Sequence, residues 1–264
     1  MRQAIPTPAD LREIQRDGTF VSVKREWVPE VPVALEFNGL SYAVMMASPR
    51  DLDDFARGFA LNEGLAQAPG DITEIAVTEV DKGWIVRASL AGLGIEKLTE
   101  RVRTRVAESS CGLCGIENLE ALSAPLPPVM PHSALPADAI FKALGQLRDF
   151  QPLGQATRAA HAAAFADRRG NILHAREDVG RHNALDKLVG ALAIEGQNPA
   201  NGFILSSARC SYEIVEKAVR AGATRLVTIS LPTSMAVERA KQAGLSLWSL
   251  ARDDSVLWVH DGSQ

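Results

Sequence analysis

"GFILSSARCSYEIVEKAVRAGATRLVTISLPTSMAVERAKQAGLSLWSLAR", residues 202–252, decides the fold class of this chain. Short apolar runs at 202–207, 225–230 and 245–252 predict buried strands. Two segments between these runs repeat their apolar residues at helical spacing and predict helices. Strands that alternate with helices of this length are typical of a sheet covered by helices, so the stretch predicts an α/β domain with a mostly parallel sheet.

The same alternation extends upstream. Residues 137–150 and 181–196 read as helices, and residues 155–167 and 171–179 as strands. The predicted α/β domain therefore covers residues 137–264.

The first part of the chain predicts a smaller α+β unit over residues 19–123. An Asn-Gly pair in "FNGL" is a strong hairpin signal, and a second hairpin is expected over 72–90. We expect a helix to follow "SPRDL", with Ser48 as its N-cap and Pro49 in its first turn. Residues 1–18 are expected to form a flexible arm. The proline-rich residues 124–136 are expected to be a linker or an extended packed segment.

The composition excludes several classes of protein. The 264 residues carry a net charge of −4, which gives no support for nucleic-acid binding over the whole surface. No apolar run reaches the length of a membrane span, and the charged N-terminus lacks the apolar core of a secretory signal. We expect a cytoplasmic protein. Three cysteines in such a compartment argue against a disulfide framework.

Two of these cysteines form the motif "SSCGLCG", which contains Cys111 and Cys114. A zinc site would need further ligands from distant parts of the chain, because Cys210 and His132 are the nearest in sequence. A thioredoxin-like dithiol would open a helix after a buried strand, and the preceding residues read poorly as such a strand. Two structural thiols and a thiolate nucleophile on a loop remain as alternatives. The flanking glycines favour the nucleophile, since they let a loop adopt many conformations.

A second motif, "REDVGRHNALDK" at residues 176–187, gathers charged side chains where a predicted strand gives way to a helix. Ligands bind at such strand ends in α/β sheets, and a helix N-terminus suits an anion. Arg181 and His182 are the candidate ligand-binding residues. A solvated helix start with intrahelical salt bridges is the alternative.

A third motif, "SSARCSYEIVEKA" at residues 206–218, repeats this arrangement after the next strand. Its serines could cap the helix or donate hydrogen bonds to an oxyanion. Arg209 is the residue that capping does not explain. From its residue types alone, the later stretch "SLARDDSVLW" (249–258) is predicted only to form a loop.

Together the three motifs resemble the formate dehydrogenase accessory sulfurtransferase family, over residues 20–260. The resemblance implies a sulfur carrier that is required for formate dehydrogenase activity. It implies that Cys111 takes sulfur as a persulfide from a cysteine desulfurase. The acceptor would be the molybdenum or tungsten bis(molybdopterin guanine dinucleotide) cofactor, which formate dehydrogenase then receives. A homodimer is also implied.

The resemblance further implies site residues. Cys111 matches the family's persulfide-bearing cysteine and Cys114 its companion, and the basic residues Arg101, Arg103 and Arg105 could lower the thiol pKa. The cofactor-contacting segment falls after the last predicted α/β strand. Its residues are Leu250, Ala251, Arg252, Asp253, Asp254 and Ser255. An aromatic residue is usual in the family where Leu250 stands, and the two aspartates add negative charge beside a phosphate-rich ligand.

The family's C-terminal domain resembles the three-layer cytidine deaminase fold, which invites a comparison of chemistry. A zinc deaminase needs a glutamate beside its histidine ligand and two cysteines at the next helix start. Here Asn183 and Ala184 follow His182, and Ser207 stands where the first cysteine would be. We therefore expect the fold without the metal chemistry, and Cys210 as a small buried residue. A hydrolase on this fold, or a cofactor-binding chaperone with a metal-binding or structural CxxC, are the rival functions.

Overall fold

The computed structural model of the chain describes residues 7–94, 98–99 and 124–263. Cys111, Cys114 and the arginines at 101, 103 and 105 lie outside the described residues. Residues 98–99 are helical, and the N-terminal part otherwise contains six strands and one helix within these ranges. They are β1 (Thr7–Ile14), β2 (Phe20–Trp27), β3 (Val31–Phe37), β4 (Leu40–Ala47), α1 (Leu52–Asn62), β5 (Ile72–Val80) and β6 (Gly83–Leu90).

β1 and β2 pair as a separate antiparallel hairpin. The expectation of a flexible arm over residues 1–18 is therefore wrong for Thr7–Ile14. The backbone of this segment is ordered because all eight of its residues face partners in β2, which the polar sequence with its two prolines did not indicate.

The other four strands form a sheet in the order β4-β3-β6-β5, with both hairpins as predicted. Asn38 and Gly39 have φ angles of 49° and 80°, as a tight two-residue turn requires. One face of the sheet buries its alternate side chains against α1 and forms the N-terminal core. Phe37, Phe55 and Phe59 lie at the centre of this core.

α1 begins later than the sequence predicts. Its N-cap is Asp51, with a φ angle of 50°, and Ser48 is not a cap. The amide and carbonyl groups of Ser48 are instead held by buried side chains of another part of the chain. Pro49 and Arg50 therefore lie between Ser48 and the N-cap, and the helix starts only after Asp51.

The C-terminal part contains the predicted α/β domain. Its helices are α2 (Ala137–Leu147), α3 (Pro152–Thr157), α4 (Arg181–Ile194), α5 (Tyr212–Arg220) and α6 (Ser234–Ala243). Its strands are β7 (His161–Asp167), β8 (Ile172–Asp178), β9 (Gly202–Ser206), β10 (Arg225–Thr228), β11 (Ser246–Ser249) and β12 (Leu257–His260). Short 3-10 turns occur at Pro69–Asp71, Arg148–Phe150 and Pro199–Asn201.

The described strands of this domain lie in the order β12-β11-β10-β9-β7-β8. Only the central β9, β10 and β11 are parallel, while β7, β8 and β12 join antiparallel. The α/β class is thus confirmed, but the expectation of a mostly parallel sheet is wrong. The reason is that a short turn, and no crossover helix, joins β7 to β8.

The predicted strand over 155–167 is also too long. Residues 155–157 belong to α3, and β7 starts at His161. Pro152 sets the first turn of α3, and the Glu177 carboxylate accepts hydrogen bonds from the amides of Leu153 and Gly154. That distant carboxylate stabilises a helix which the local sequence does not indicate.

The domain has three layers. α2 packs on one face of the sheet, against Phe203, Leu205 and Val227. α4, α5 and α6 pack on the other face, against Ile204 and Leu226. Adjacent residues of β9 and β10 thus enter opposite cores, because side chains alternate along a strand.

The proline-rich residues 124–136 are extended and packed, without helix or strand. Val129 donates its amide hydrogen to Ala243 O, and the buried Arg225 donates to Ser133 O. His132 donates from Nδ1 to Met130 O and meets Ser246 Oγ at 2.8 Å through Nε2. Residues 124–136 are therefore the extended packed segment that was one of the two predicted alternatives, the other being a linker.

Candidate functional site

Four strand ends and two strand starts meet at one edge of the C-terminal sheet, which we name the carboxyl edge. β8 ends there at Asp178, β9 at Ser206, β10 at Thr228 and β11 at Ser249, while β7 begins there at His161 and β12 at Leu257. The Thr228 hydroxyl donates to Ser230 O and accepts a 2.8 Å hydrogen bond from Ser249. This is the edge at which open α/β sheets bind ligands.

Most of the charged side chains of the motif at 176–187 bind groups of the N-terminal part and so join the two parts of the molecule. The buried Asp178 carboxylate lies 2.6 Å from Lys187 Nζ and accepts hydrogen bonds from the amides of Ser48 and Gly180. Lys187 also donates to Ser48 O, so the pair holds the chain that leads into α1. Burial lowers the pKa of Lys187, and the Asp178 carboxylate opposes that effect.

Further members of the motif serve the same contact. Arg176 forms a 2.7 Å ion pair with Asp54 of α1. Asp186 binds Asn62 of α1 and Lys217 of α5, and burial raises its pKa despite the lysine. The motif is therefore neither a solvated helix start nor wholly a ligand site, because its side chains are buried against another helix.

Arg181 and His182 take no part in the contact with α1, so they are the residues of the motif that remain candidates for binding a ligand. Both are half-buried at the start of α4. The Nε atom of Arg181 is buried and has no hydrogen-bond partner among the described residues. His182 Nε2 lies 2.9 Å from Glu213 Oε2 and 3.4 Å from Ser211 Oγ. This contact brings the starts of α4 and α5 together.

Glu213 is a site residue that the sequence did not single out. Its hydrogen bond from His182 lowers the pKa of the Glu213 carboxyl. It also fixes the orientation of the imidazole, as a second-layer carboxylate commonly does. Glu213 is inside the quoted third motif, but only the fold shows that it faces His182.

The serines of the third motif do not cap α5 through their side chains. Ser207 Oγ accepts from the amide of Ala162, and Ser206 Oγ accepts from that of Ala208. Arg209 is exposed at the carboxyl edge, with no hydrogen bond or ion pair to a described residue. Cys210 is fully buried, as predicted, and burial raises the pKa of its thiol to about 12. An un-ionised buried thiol is a poor nucleophile.

The loop after β11 forms a tight turn. Leu250 has a φ angle of 51°, Ala251 is buried, and Arg252 donates its amide hydrogen to Ser255 O. Arg252 Nη1 also donates to Ile229 O, which anchors the side chain to the end of β10. The Ser255 hydroxyl donates to Asp254.

This loop lines a surface pocket of about 730 Å³ on the α2 side of the carboxyl edge. Arg252, Asp253 and Asp254 line one part of it, and Arg148 and Gln151 another. The structure therefore separates the predicted residues: the Arg252 loop opens on the α2 side, whereas Arg181 and His182 start a helix on the opposite face. Arg148 and Gln151 were not singled out from the sequence, because Arg148 lies within the helix predicted over 137–150 and Gln151 directly follows it.

Within residues 7–94, 98–99 and 124–263, no group of three or more histidine, cysteine, aspartate or glutamate side chains could hold a metal ion. No helix in those ranges is long and apolar enough to cross a membrane.

Comparison with known proteins identifies relatives that cover nearly the whole chain. The sulfur carrier protein FdhD of Chromobacterium violaceum is 49% identical over 227 residues, which are 84% of each chain. That of Bordetella bronchiseptica is 42% identical over 232 residues, covering 88% of this chain and 84% of the relative.

A solved structure has the same fold. A chain from Desulfotalea psychrophila, described as a formate dehydrogenase accessory protein, superimposes with a TM-score of 0.75. The match covers 97% of this chain and 96% of that one, at 22% sequence identity. The model of the FdhD/NarQ family matches residues 28–262. The chain therefore belongs to the FdhD/NarQ family.

Proposed function

We propose that this protein is a sulfur carrier that serves the maturation of formate dehydrogenase. The observation that carries the proposal is the pair Cys111 and Cys114 in "SSCGLCG", in a chain 49% identical to a relative named as a sulfur carrier protein. In the proposed cycle, a cysteine desulfurase is the sulfur donor. The protein would act in the cytoplasm, as a homodimer.

Sulfur enters in a thiol exchange step. The Cys111 thiolate attacks the outer sulfur of the desulfurase's cysteine persulfide, and the bond between the two donor sulfurs breaks. The donor cysteine leaves as a thiolate, and Cys111 becomes the persulfide. The arginines at 101, 103 and 105, which precede Cys111 in sequence by ten residues or fewer, would favour the attacking thiolate if the fold brings them to it.

The acceptor is the molybdenum or tungsten bis(molybdopterin guanine dinucleotide) cofactor, which is cargo for the protein and substrate of the second step. Its diphosphates need cationic hydrogen-bond donors. The buried Nε of Arg181 supports this role, since it has no hydrogen-bond partner among the described residues. Arg209 lies at the same edge and likewise has no partner in the described ranges. His182, held by Glu213, and Arg252, held by Ile229 O, add oriented donors. When the sulfur–sulfur bond of the persulfide breaks, Cys111 keeps the electron pair and returns to a thiolate. The terminal sulfur passes on as S⁰, and the acceptor metal, in a reduced state, would supply the two electrons that convert it to sulfide.

A Cys111→Ala substitution tests the proposal directly. The variant should melt like the native protein, take no sulfur from desulfurase and cysteine, and leave formate dehydrogenase inactive. The double variant Cys114→Ala/Cys210→Ala is the matched control, since it keeps Cys111 as its one thiol. Its Cys111 peptide should gain the mass of one sulfur atom.

Formate dehydrogenase that is fully active with Cys111→Ala would overturn the proposal. Stoichiometric zinc in the purified native protein, lost on Cys111→Ala, would favour a chaperone with a metal-binding CxxC.

A further inference from the structure

His161 begins β7 at the carboxyl edge, directly opposite Asp178 of β8. Ala163 and Phe165 of the same strand pack in the hydrophobic cluster between the sheet and α4, α5 and α6. Because side chains alternate along a strand, His161 faces this same side of the sheet, where α4 and α5 begin. Its imidazole is half-buried and forms no hydrogen bond or ion pair within the part of the chain that the structure describes.

Two arginines at the same edge also lack a partner. Arg181 is in the first turn of α4, and its buried Nε atom has no hydrogen-bond partner among the described residues. Arg209 is exposed just before α5 and forms no hydrogen bond or ion pair to a described residue. By contrast, carboxylates hold Arg176 and Arg239 at 2.7 and 2.6 Å. A buried donor without a partner is costly, so Arg181 favours a ligand that accepts hydrogen bonds.

The carboxylates on this side of the edge do not balance the arginines, because other groups already hold them. Asp178 is paired with a buried lysine at 2.6 Å, and Glu213 lies 2.9 Å from His182. The uncompensated charge acts on His161. Burial lowers the pKa of its imidazole, the charges of Arg181 and His182 lower it further, and Asp178 opposes them. An environment that disfavours an added proton favours an added anion.

The backbone adds donors at the same place. α4 and α5 begin at this edge with Gly180 and Ser211 as N-caps, and neither of these helices has a side-chain cap. A cap side chain usually accepts from the first amides of a helix, so the side chains leave these amides available. Helix starts attract anions through such amides and through the helix dipole. They therefore support the arginines in favouring a small anion.

We propose that His161, Arg181 and Arg209 form a site for a doubly charged oxyanion, which His161 binds in its protonated form. The class includes sulfate, inorganic phosphate and the phosphate groups of a larger ligand. The site lies on the α4 side of the carboxyl edge and includes no residue of the loop after β11. The proposal deepens the proposed function and rests on it for the choice of ligand, because two of the three residues are donors proposed there for the cargo.

Anion binding and protonation of His161 are linked. In the empty site the pKa of His161 lies below its usual value. A bound dianion raises that pKa, because an opposite charge favours the protonated imidazole. At a pH between the two values, binding therefore takes up a proton, and the affinity rises as the pH falls. One linked proton changes the affinity by at most about 10-fold per pH unit.

Isothermal titration calorimetry with sodium sulfate between pH 8 and pH 6, at constant ionic strength, tests the proposal. Sulfate keeps its double charge throughout this range, so any pH dependence belongs to the protein. The affinity should increase about 10-fold from pH 8 to pH 6. The measured heat should also vary with the ionisation enthalpy of the buffer, because a proton is taken up.

Variants assign the pH dependence to one histidine. His161→Gln should keep the affinity at pH 8 within about two-fold and lose the increase toward pH 6. His174→Gln is the matched control and should behave like the native protein, because His174 lies on the same side of the sheet but pairs with Glu195 at the opposite end of α4. Arg181→Gln should weaken sulfate binding about 10-fold at pH 8, as expected for the loss of a charged hydrogen bond.

A second measurement uses the native protein. With isotope-labelled histidine, the nuclear magnetic resonance signal of the His161 ring should move toward its protonated position when sulfate is added, while that of His174 stays in place. Three results would overturn the proposal: no saturable binding of sulfate, a native pH dependence in His161→Gln, or a pH dependence that only His182→Gln removes.

A second probe separates a larger ligand from a free anion. Adenosine diphosphate ribose carries a diester diphosphate with two fixed charges and no guanine. If it displaces sulfate from the native protein, the site takes the phosphate groups of a dinucleotide. If sulfate stays bound, the site takes a free anion.

Sulfate binding is independent of sulfur transfer, so the two proposals can fail separately. Cys111→Ala protein should bind sulfate with the native affinity. If Cys111 takes up no sulfur while sulfate still binds with the expected pH dependence, the sulfur relay fails and the anion site stands. If sulfur transfer proceeds and sulfate does not bind, the anion site alone fails.

Discussion

Lys187 and Asp178 form an ion pair with both side chains fully buried. Burial of charge is costly unless the remaining hydrogen-bonding groups are also satisfied. Here Ser48 O accepts from the lysine, and the amides of Ser48 and Gly180 donate to the carboxylate. The pair therefore fixes where the chain passes from β4 to α1 beside the carboxyl edge.

Lys187→Met should lower the free energy of unfolding by about 3–5 kcal/mol, because it leaves the Asp178 charge buried without its partner. Lys82→Met, at the exposed β5–β6 turn, is the control and should change stability by less than about 0.5 kcal/mol. Urea unfolding measures both. A loss as small as that of the control would contradict the contact described for Lys187.

At the scale of the elements, α1 and α4 are in backbone contact. A Cβ atom added at Gly58 would lie 1.7 Å from Asp186 O, and one at Gly190 would lie 1.9 Å from Asp54 O. Only glycine allows helices to approach so closely. The crossing brings Asp54 and Asn62 of α1 to their partners on β8 and α4.

Gly58→Ala should destabilise the protein by about 3 kcal/mol or more, because backbone atoms of α4 cannot move aside without separating the helices. Gly145→Ala, on the exposed side of α2 with open space around it, is the matched control. That change should stabilise the protein by up to about 1 kcal/mol through helix propensity. If chemical denaturation gave both variants the same sign of change, the helix crossing would be wrong.

At the scale of the whole molecule, α1 belongs to both cores. Its aromatic residues fill the N-terminal core, and Leu61 packs against both hydrophobic clusters. The sheet of β3–β6 therefore depends on α4 for the position of α1, the helix that packs on it. This arrangement predicts that the two parts of the chain unfold together.

A variant that keeps Trp84 as its sole tryptophan reports on β6, and one that keeps Trp248 reports on β11. In each variant the fluorescence transition in urea should coincide with the loss of far-ultraviolet circular dichroism, as a two-state transition requires. Melting of the Trp84 signal before the dichroism signal would show that the N-terminal part unfolds independently.

The sequence by itself determined the local structure and the family motifs. The apolar runs at 202–207, 225–230 and 245–252 predicted β9, β10 and β11, because a strand that is buried on both faces is apolar along its whole length. The Asn-Gly pair gave the β3–β4 hairpin, since its two residues readily adopt positive φ angles. The buried state of Cys210 was also predictable from its place between a core strand and a helix.

Only the tertiary structure decided which polar residues hold the fold and which remain for a ligand. In "REDVGRHNALDK" the sequence shows eight charged or polar residues and does not distinguish their roles, and seven of them are bound to other groups of the protein. Likewise, Arg148 and Asp253 line one pocket only because the fold brings the end of α2 beside the loop that follows β11. Charge can be read from sequence, but whether a charge is already paired depends on contacts between residues far apart in the chain.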